Sequence, residues 1–202
     1  MTPISAIAWD IDGTLIDSEP LHLTVLRSVC DGLGLDVRAM DEERFRGVHL
    51  PDVWTMLAPR LPPDTQREAW MEAIIAAYVA EAATLRALPG VEAAMTAFAA
   101  LGLPQVCVSN SNRRIVDANI EALAIGDRIA FSLSLDDVVA GKPHPEPYLT
   151  ACARLGLEPA RVAAVEDSAA GAASARAAGL FVVGYDPTGR PFPDADLTIA
   201  DA

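Results

Sequence analysis

Apolar residues recur along this chain in two different spacings. Ile4 to Trp9, Gln105 to Val108, Ile129 to Leu133, Arg161 to Val165 and Leu180 to Val183 are short, nearly continuous apolar runs that stop at polar or turn-forming residues. Such runs predict strands buried on both faces, and Ala195 to Ile199 adds a short edge strand. Between them Val91 to Leu101, Ile115 to Leu123, Pro147 to Leu155 and Ala169 to Ala178 read as helices, three of them followed by Gly102, Gly156 and Gly179. Strands alternating with crossover helices predict an α/β fold built on a parallel sheet with helices on both faces.

One stretch breaks the alternation. Ser18-Glu19-Pro20 reads as a helix start with Ser18 as N-cap, and Leu21, Val25, Leu26, Val29 and Leu33 follow at helical spacing. Val53, Trp54, Leu57 and Leu61 make a second amphipathic set, and Trp70, Ile74, Ala77 and Tyr78 a third, behind an Asp64 cap. No strand interrupts 17–86, and roughly 70 residues is too long for a loop in a compact domain. The expected organisation is therefore a core made of 1–16 and 87–202, with 17–86 inserted as a helical domain.

Composition narrows the partners. The formal net charge of −13 over 202 residues argues against nucleic acid or an anionic membrane surface. The 3 cysteines, Cys30, Cys107 and Cys152, lie far apart in apolar surroundings and read as reduced core residues. Met1-Thr2-Pro3 has no basic leader region and no apolar run approaches the length of a membrane span, so a cytoplasmic monomer is the expectation.

The polar residues at the predicted strand ends carry the chemistry. Asp10 and Asp12 follow the first strand, Ser109 and Asn110 another, Glu166 and Asp167 a third. In a parallel sheet these ends share one edge, where ligands bind in open α/β folds. Each cluster alone also suits an acidic turn or a helix cap; three at consecutive strand ends are harder to assign to caps. A calcium loop does not fit Asp10 onward, because its twelfth position is Leu21. The remaining element is Gly141-Lys142-Pro143-His144-Pro145, in which Lys142 is the only lysine among 15 basic residues. A compact ammonium on a flexible stem can reach both a phosphate and a carboxylate in a crowded pocket. Four carboxylates offset by one ammonium would raise one another's pKa and silence a nucleophile, and a divalent cation resolves this. An all-oxygen ligand set favours magnesium, Mg2+, over zinc.

The segments Asp10-x-Asp12-Gly13-Thr14-Leu15-x-Asp17-Ser18, Ser109-Asn110, Gly141-Lys142-Pro143 and Glu166-Asp167-Ser168-x-x-Gly171 together resemble the four motifs of the haloacid dehalogenase superfamily. Glu19-Pro20-Leu21-His22, Pro143-x-Pro145-x-Pro147-Tyr148 and the helical block resemble its phosphoglucomutase-like phosphatase branch. The resemblance implies a Rossmann-like core with an inserted helical cap. It implies Asp10 as the nucleophile that becomes an aspartyl-phosphate and Asp12 as acid and then base. Ser109, Asn110 and Lys142 would hold phosphoryl oxygens. Asp10, the Asp12 carbonyl and Asp167 would hold magnesium, with Glu166 ligating directly or through water. Dehalogenases of the family lack the second aspartate, so Asp12 points to phosphoryl transfer. In the cap, Arg44-Phe45-Arg46-Gly47-Val48-His49-Leu50 resembles the loop that faces the core site, making Arg46, Gly47 and His49 candidate substrate contacts, together with His22. Arg46 and His49 suit a solvated helix end equally well, and His22 a packed histidine. Sugar-phosphate mutases of the branch carry a basic residue three positions after the glycine; Leu50 stands there, which favours water as the acceptor. The expected activity is a magnesium-dependent phosphatase acting on a small phosphorylated metabolite, a sugar or sugar-acid phosphate. The alternatives are a hexose-phosphate mutase and, outside catalysis, a phospho-accepting regulatory module, although the latter carries its acidic pair before the acceptor aspartate.

Overall fold

The computed structural model of the chain describes residues 3–45, 48–187 and 193–200. Among these, the strands β1 (Ala6–Trp9), β2 (Gln105–Val108), β3 (Phe131–Leu133), β4 (Val162–Glu166), β5 (Phe181–Tyr185) and β6 (Leu197–Ile199) form one sheet in the order β3-β2-β1-β4-β5-β6. Every neighbouring pair is parallel. The helices are α1 (Glu19–Gly32), α2 (Leu50–Leu57), α3 (Arg67–Glu81), α4 (Val91–Ala100), α5 (Arg113–Leu123), α6 (Glu146–Leu155) and α7 (Ala169–Ala178).

The strands read as unbroken apolar runs because both faces of the sheet are covered. Successive side chains of β1 point to opposite faces. Ile7 and Trp9 join Val91, Met95, Ile115 and Val116 of α4 and α5. Ala6 and Ala8 join Tyr148, Ala151 and Cys152 of α6 and Ala172, Ala175 and Ala178 of α7. The small residues of α7 let that helix lie close to β4 and β5. Trp9 is core, its indole N–H donating to Gln105 Oε1 at 2.9 Å. The three cysteines are free and buried.

The helices α1 to α3 sit between β1 and α4 in the chain. The backbone leaves the sheet region at Ile16 and returns at Ala87, where the two residues pair antiparallel, and the Leu88 N–H donates to the Leu15 carbonyl at 2.9 Å. The chain thus leaves and returns at adjacent points. Within the insert Trp54 and Trp70 pack at a centroid separation of 5.5 Å, and its buried apolar residues continue into the cluster on the α4–α5 face of the sheet. Among the described residues no helix is long and apolar enough to cross a membrane.

Element ends move by one or two residues in several places, and three local differences have a visible cause. The helix expected behind Asp64 begins at Arg67, because the Thr65 N–H turns back onto the Pro62 carbonyl at 2.9 Å. β4 runs one residue further than its apolar run, because Glu166 pairs in register with Gly184 of β5. Ser18 does occupy the N-cap position of α1, but its hydroxyl donates to Asp12 Oδ1 at 2.7 Å instead of capping the helix.

Candidate active site

β1 is the central strand, so its carboxyl end is flanked on one side by the end of β2 and on the other by the end of β4. Asp10 leaves β1 with its N–H on the Val165 carbonyl at 3.0 Å. Gly13 then turns the chain at φ +86, and Asp167 lies so close that a Cβ on Gly13 would stand 2.1 Å from Asp167 Oδ2. Glycine is required there twice over, for the turn and for the approach of the carboxylate. Thr14 donates its hydroxyl to Asp167 Oδ1 at 3.3 Å.

Lys142 arrives from the loop before α6 and is 4% exposed. Its ammonium has three acceptors: Asp10 Oδ1 at 2.7 Å, Glu166 Oε1 at 2.6 Å and the Val108 carbonyl at 2.7 Å. That satisfies all three N–H groups. The Tyr148 hydroxyl also donates to Glu166 Oε1, and the Tyr148 ring lies 5.2 Å from the ammonium. Glu166, fully buried, has its other oxygen against Gly171, where any Cβ would stand 1.8 Å from it.

Asp12 points elsewhere. Its Oδ1 accepts from Ser18 at 2.7 Å and from Asn119 Nδ2 at 3.0 Å, and its Oδ2 accepts from Ser111 at 2.8 Å and Ser109 at 3.3 Å. His22 stands with Nε2 3.7 Å from Oδ1 while its ring stacks on Tyr78 at 4.4 Å. Asn110 is committed to the Lys142 loop, accepting from the Lys142 N–H at 2.8 Å and donating to its carbonyl at 2.9 Å. The same amide nitrogen lies 3.3 Å from His49 Nε2, so a residue just before α2 touches this loop. Arg46 and Gly47, the other candidates in the insert, lie outside the described residues. Arg113, next to this loop, is spent on Asp137, Asp117 and Ser132.

The sequence reading did not single out Thr14, Ser111, Tyr78, Asn119 or Tyr148 as site residues. Asn119 left a signal: it falls on the buried stripe of α5 with Ile115 and Val116, where a polar side chain needs a partner. Ser111 directly follows the Ser109-Asn110 pair in the chain.

Charge distribution separates the carboxylates. Burial pushes Asp10 well above the usual carboxylate range; Lys142 opposes this, and Glu166, Asp167 and Asp12 add to it. Burial and then Glu166 raise Asp167 to about 7. For Asp12 burial is outweighed by the His22 imidazole 3.7 Å away and by hydrogen bonds from Ser18 and Ser111, which hold it down to about 2. Burial would lower Lys142, but Asp10 and Glu166 outweigh it and keep the ammonium charged. Asp10, Glu166 and Asp167 each offer an oxygen within 4.8 Å of the others. Excess negative charge on a compact set of hard oxygen ligands is what a divalent cation neutralises, so this chain's residues fit magnesium.

The raised pair has a measurable consequence. Between pH 3.8 and about 7 folded Asp167 holds a proton that the unfolded chain has released. Stability contributed by that proton is present at the acidic end and lost as pH rises through the folded value. Without metal, the melting temperature is therefore expected to fall from about pH 4 to about pH 7, and added magnesium to recover it at pH 7. A metal-free melting temperature that rises across this window would contradict the repulsion assigned to the cluster.

Comparisons with known proteins identify the family and the fold. The phosphoglycolate phosphatase of Chromobacterium violaceum is 32% identical over 209 residues, covering 97% of this chain and 92% of that protein. Hexitol phosphatase B of Escherichia coli is 31% identical over 180 residues, covering 87% of this chain and 80% of that protein. The fold is that of CbbY from Rhodobacter sphaeroides, solved in complex with phosphate, at a TM-score of 0.87 and 23% identity, over 98% of this chain and 94% of that one. The profile of the haloacid dehalogenase-like hydrolases matches residues 4–179, and the chain belongs to that family of enzymes.

Proposed function

We propose that this chain, a phosphoric monoester hydrolase like its named relatives, is a magnesium-dependent phosphatase that transfers the phosphoryl group of a small metabolite to Asp10 and then to water. The observation that carries the reading is the Asp10 carboxylate at the end of the central strand, 2.7 Å from a buried ammonium and beside two further carboxylates. Asp10 attacks phosphorus in line with the departing alkoxide, forming an acyl phosphate, and Asp12 delivers a proton to the leaving oxygen. A water then attacks the same phosphorus, Asp12 takes its proton, and Asp10 is regenerated. Ser109 and the Lys142 loop organised by Asn110 line the side of the pocket where phosphoryl oxygens lie. Asp10 and Asp167, with Glu166 directly or through water and the Asp12 carbonyl, would hold magnesium, which keeps Asp10 ionised and neutralises charge on the transferring group. Residues 17–86 act as a cap over this edge, with His49 brought to Asn110 and His22 to Asp12. Asp12 as found here is ionised and suited to the base step. Taking up the proton needed for the acid step requires it to loosen some of its donors.

The test is phosphate release from a panel of phosphorylated metabolites, phosphoglycolate and hexitol phosphates included, with magnesium and after chelation. Turnover that stops with chelator and returns with magnesium is expected; metal-independent turnover would reject the proposed ligand set. In parallel, hexose 1-phosphate with a trace of hexose bisphosphate should yield free phosphate. Isomer without free phosphate would replace the phosphatase reading by a mutase.

A further inference from the structure

Asp12 is reached by two routes from one side chain of the insert. Tyr78 on α3, fully buried, donates its hydroxyl to Asn119 Oδ1 at 2.8 Å. Asn119 on α5, equally buried, donates Nδ2 to Asp12 Oδ1 at 3.0 Å. The ring of Tyr78 also stacks on His22, whose Nε2 lies 3.7 Å from that same carboxylate oxygen.

The direction of these bonds is determined by their chemistry. Ser18, Ser109 and Ser111 all donate to Asp12, so its two oxygens act as acceptors, and the Asn119 amide presents nitrogen to Asp12 and oxygen to Tyr78. The Tyr78 hydroxyl then has to donate. Reversing the amide would set two oxygens face to face in a dry interior, which is costly. Tyr78 therefore holds the Asn119 amide in the orientation that Asp12 requires, and the amide occupies Oδ1. The other oxygen, Oδ2, is left on the Ser109–Ser111 side, where the phosphoryl group is handled.

We propose that Asn119 and Tyr78 are positioning residues for Asp12: the amide pins Oδ1, and Oδ2 is the oxygen that exchanges protons with the leaving group and with water. This rests on the phosphatase reading above. Neither residue transfers a proton; both act by orienting one that does.

The proposal separates from a merely structural role through the leaving group. Expulsion of p-nitrophenolate needs little help from an acid, whereas phenolate, a poorer leaving group, needs more. Comparing kcat/KM on p-nitrophenyl phosphate and phenyl phosphate isolates the step that forms the acyl phosphate. Tyr78→Phe keeps the ring and its stack on His22. It is expected to cut kcat/KM on phenyl phosphate by about tenfold, part of the roughly 10²–10⁴-fold that a positioned acid supplies, and on p-nitrophenyl phosphate by less than about twofold. Asn119→Ala should give the same selective loss or a larger one. The double variant should be no worse than Asn119→Ala alone, because Tyr78 works through Asn119.

Glu72→Ala serves as the control. It removes the 2.5 Å contact between Glu72 on α3 and Arg114 on α5, loosening the same helix pair without touching the relay, and should leave the ratio of the two substrates unchanged. Equal losses on both substrates, losses that multiply in the double variant, or a changed ratio in Glu72→Ala would overturn the proposal. If Asn119→Ala melts below the assay temperature, Tyr78→Phe against Glu72→Ala decides alone. A wild-type protein that turns over neither aryl phosphate would instead reject the phosphatase reading.

Discussion

Asp10→Asn is expected to remove turnover by at least about 10⁴-fold while leaving the protein as stable as before, or more so. An amide of the same shape fills the same space, and its Oδ1 can still accept from Lys142 at the end of β1. It cannot attack phosphorus, so the loss falls on the chemical step alone. The stability half of the expectation comes from the neighbours. Asp10 is disfavoured as an anion by burial and by Glu166, Asp167 and Asp12, and a neutral amide removes that repulsion. Phosphate release and the metal-free melting temperature at pH 7, measured on one preparation, check both halves. Retained activity would exclude Asp10 as the nucleophile, and a large fall in melting temperature would mean that the Lys142–Asp10 contact is worth more than the repulsion.

Lys142→Met should fail in the opposite way, losing activity by about 10³-fold and stability by about 3–5 kcal/mol, the scale for stranding one member of a buried ion pair. Glu166 is the residue stranded: it is 0% exposed, and without the ammonium it keeps the Tyr148 hydroxyl and a long contact to Ser168. Arginine is no substitute, because the three acceptors close around a single nitrogen and the Tyr148 ring lies against it. Adding Glu166→Gln to Lys142→Met should restore most of the stability and none of the activity. Denaturant unfolding of the single and double variants checks the first part and phosphate release the second. Stability unrecovered in the double variant would show that the ammonium matters for more than the charge of Glu166.

How far the sequence reaches can be judged from particular elements. The runs Gln105–Val108 and Ala169–Ala178 begin and end as expected, because a buried parallel strand and a small-residue helix closed by Gly179 leave sharp boundaries. The apolar run Arg161–Val165 lies one residue ahead of β4 (Val162–Glu166), because Glu166 has the character of a loop start, whereas its charge is buried against Lys142 inside the ladder. The convergence of Asp10, Glu166 and Asp167 was legible because a parallel sheet brings its strand ends to one edge, and Lys142 stood out as the only lysine of the chain. The partners of Asp12 were not. Ser18 has the local signature of a helix cap and is used on a carboxylate instead. Tyr78 and Asn119 meet only when α3 seats on α5, and local spacing cannot report which helix another will lie against.

The central place of β1 in the sheet also orders events during synthesis. The strand that leads into Asp10 is made before either of its neighbours, so both its edges stay unpaired until Gln105–Val108 and then Val162–Glu166 have been made. The helices between 19 and 81 can collapse on one another long before that. The nascent chain therefore carries an apolar segment with an open backbone edge until Val162–Glu166 has been made. A product released before residue 162 would present that open edge to its neighbours, a ready template for aggregation.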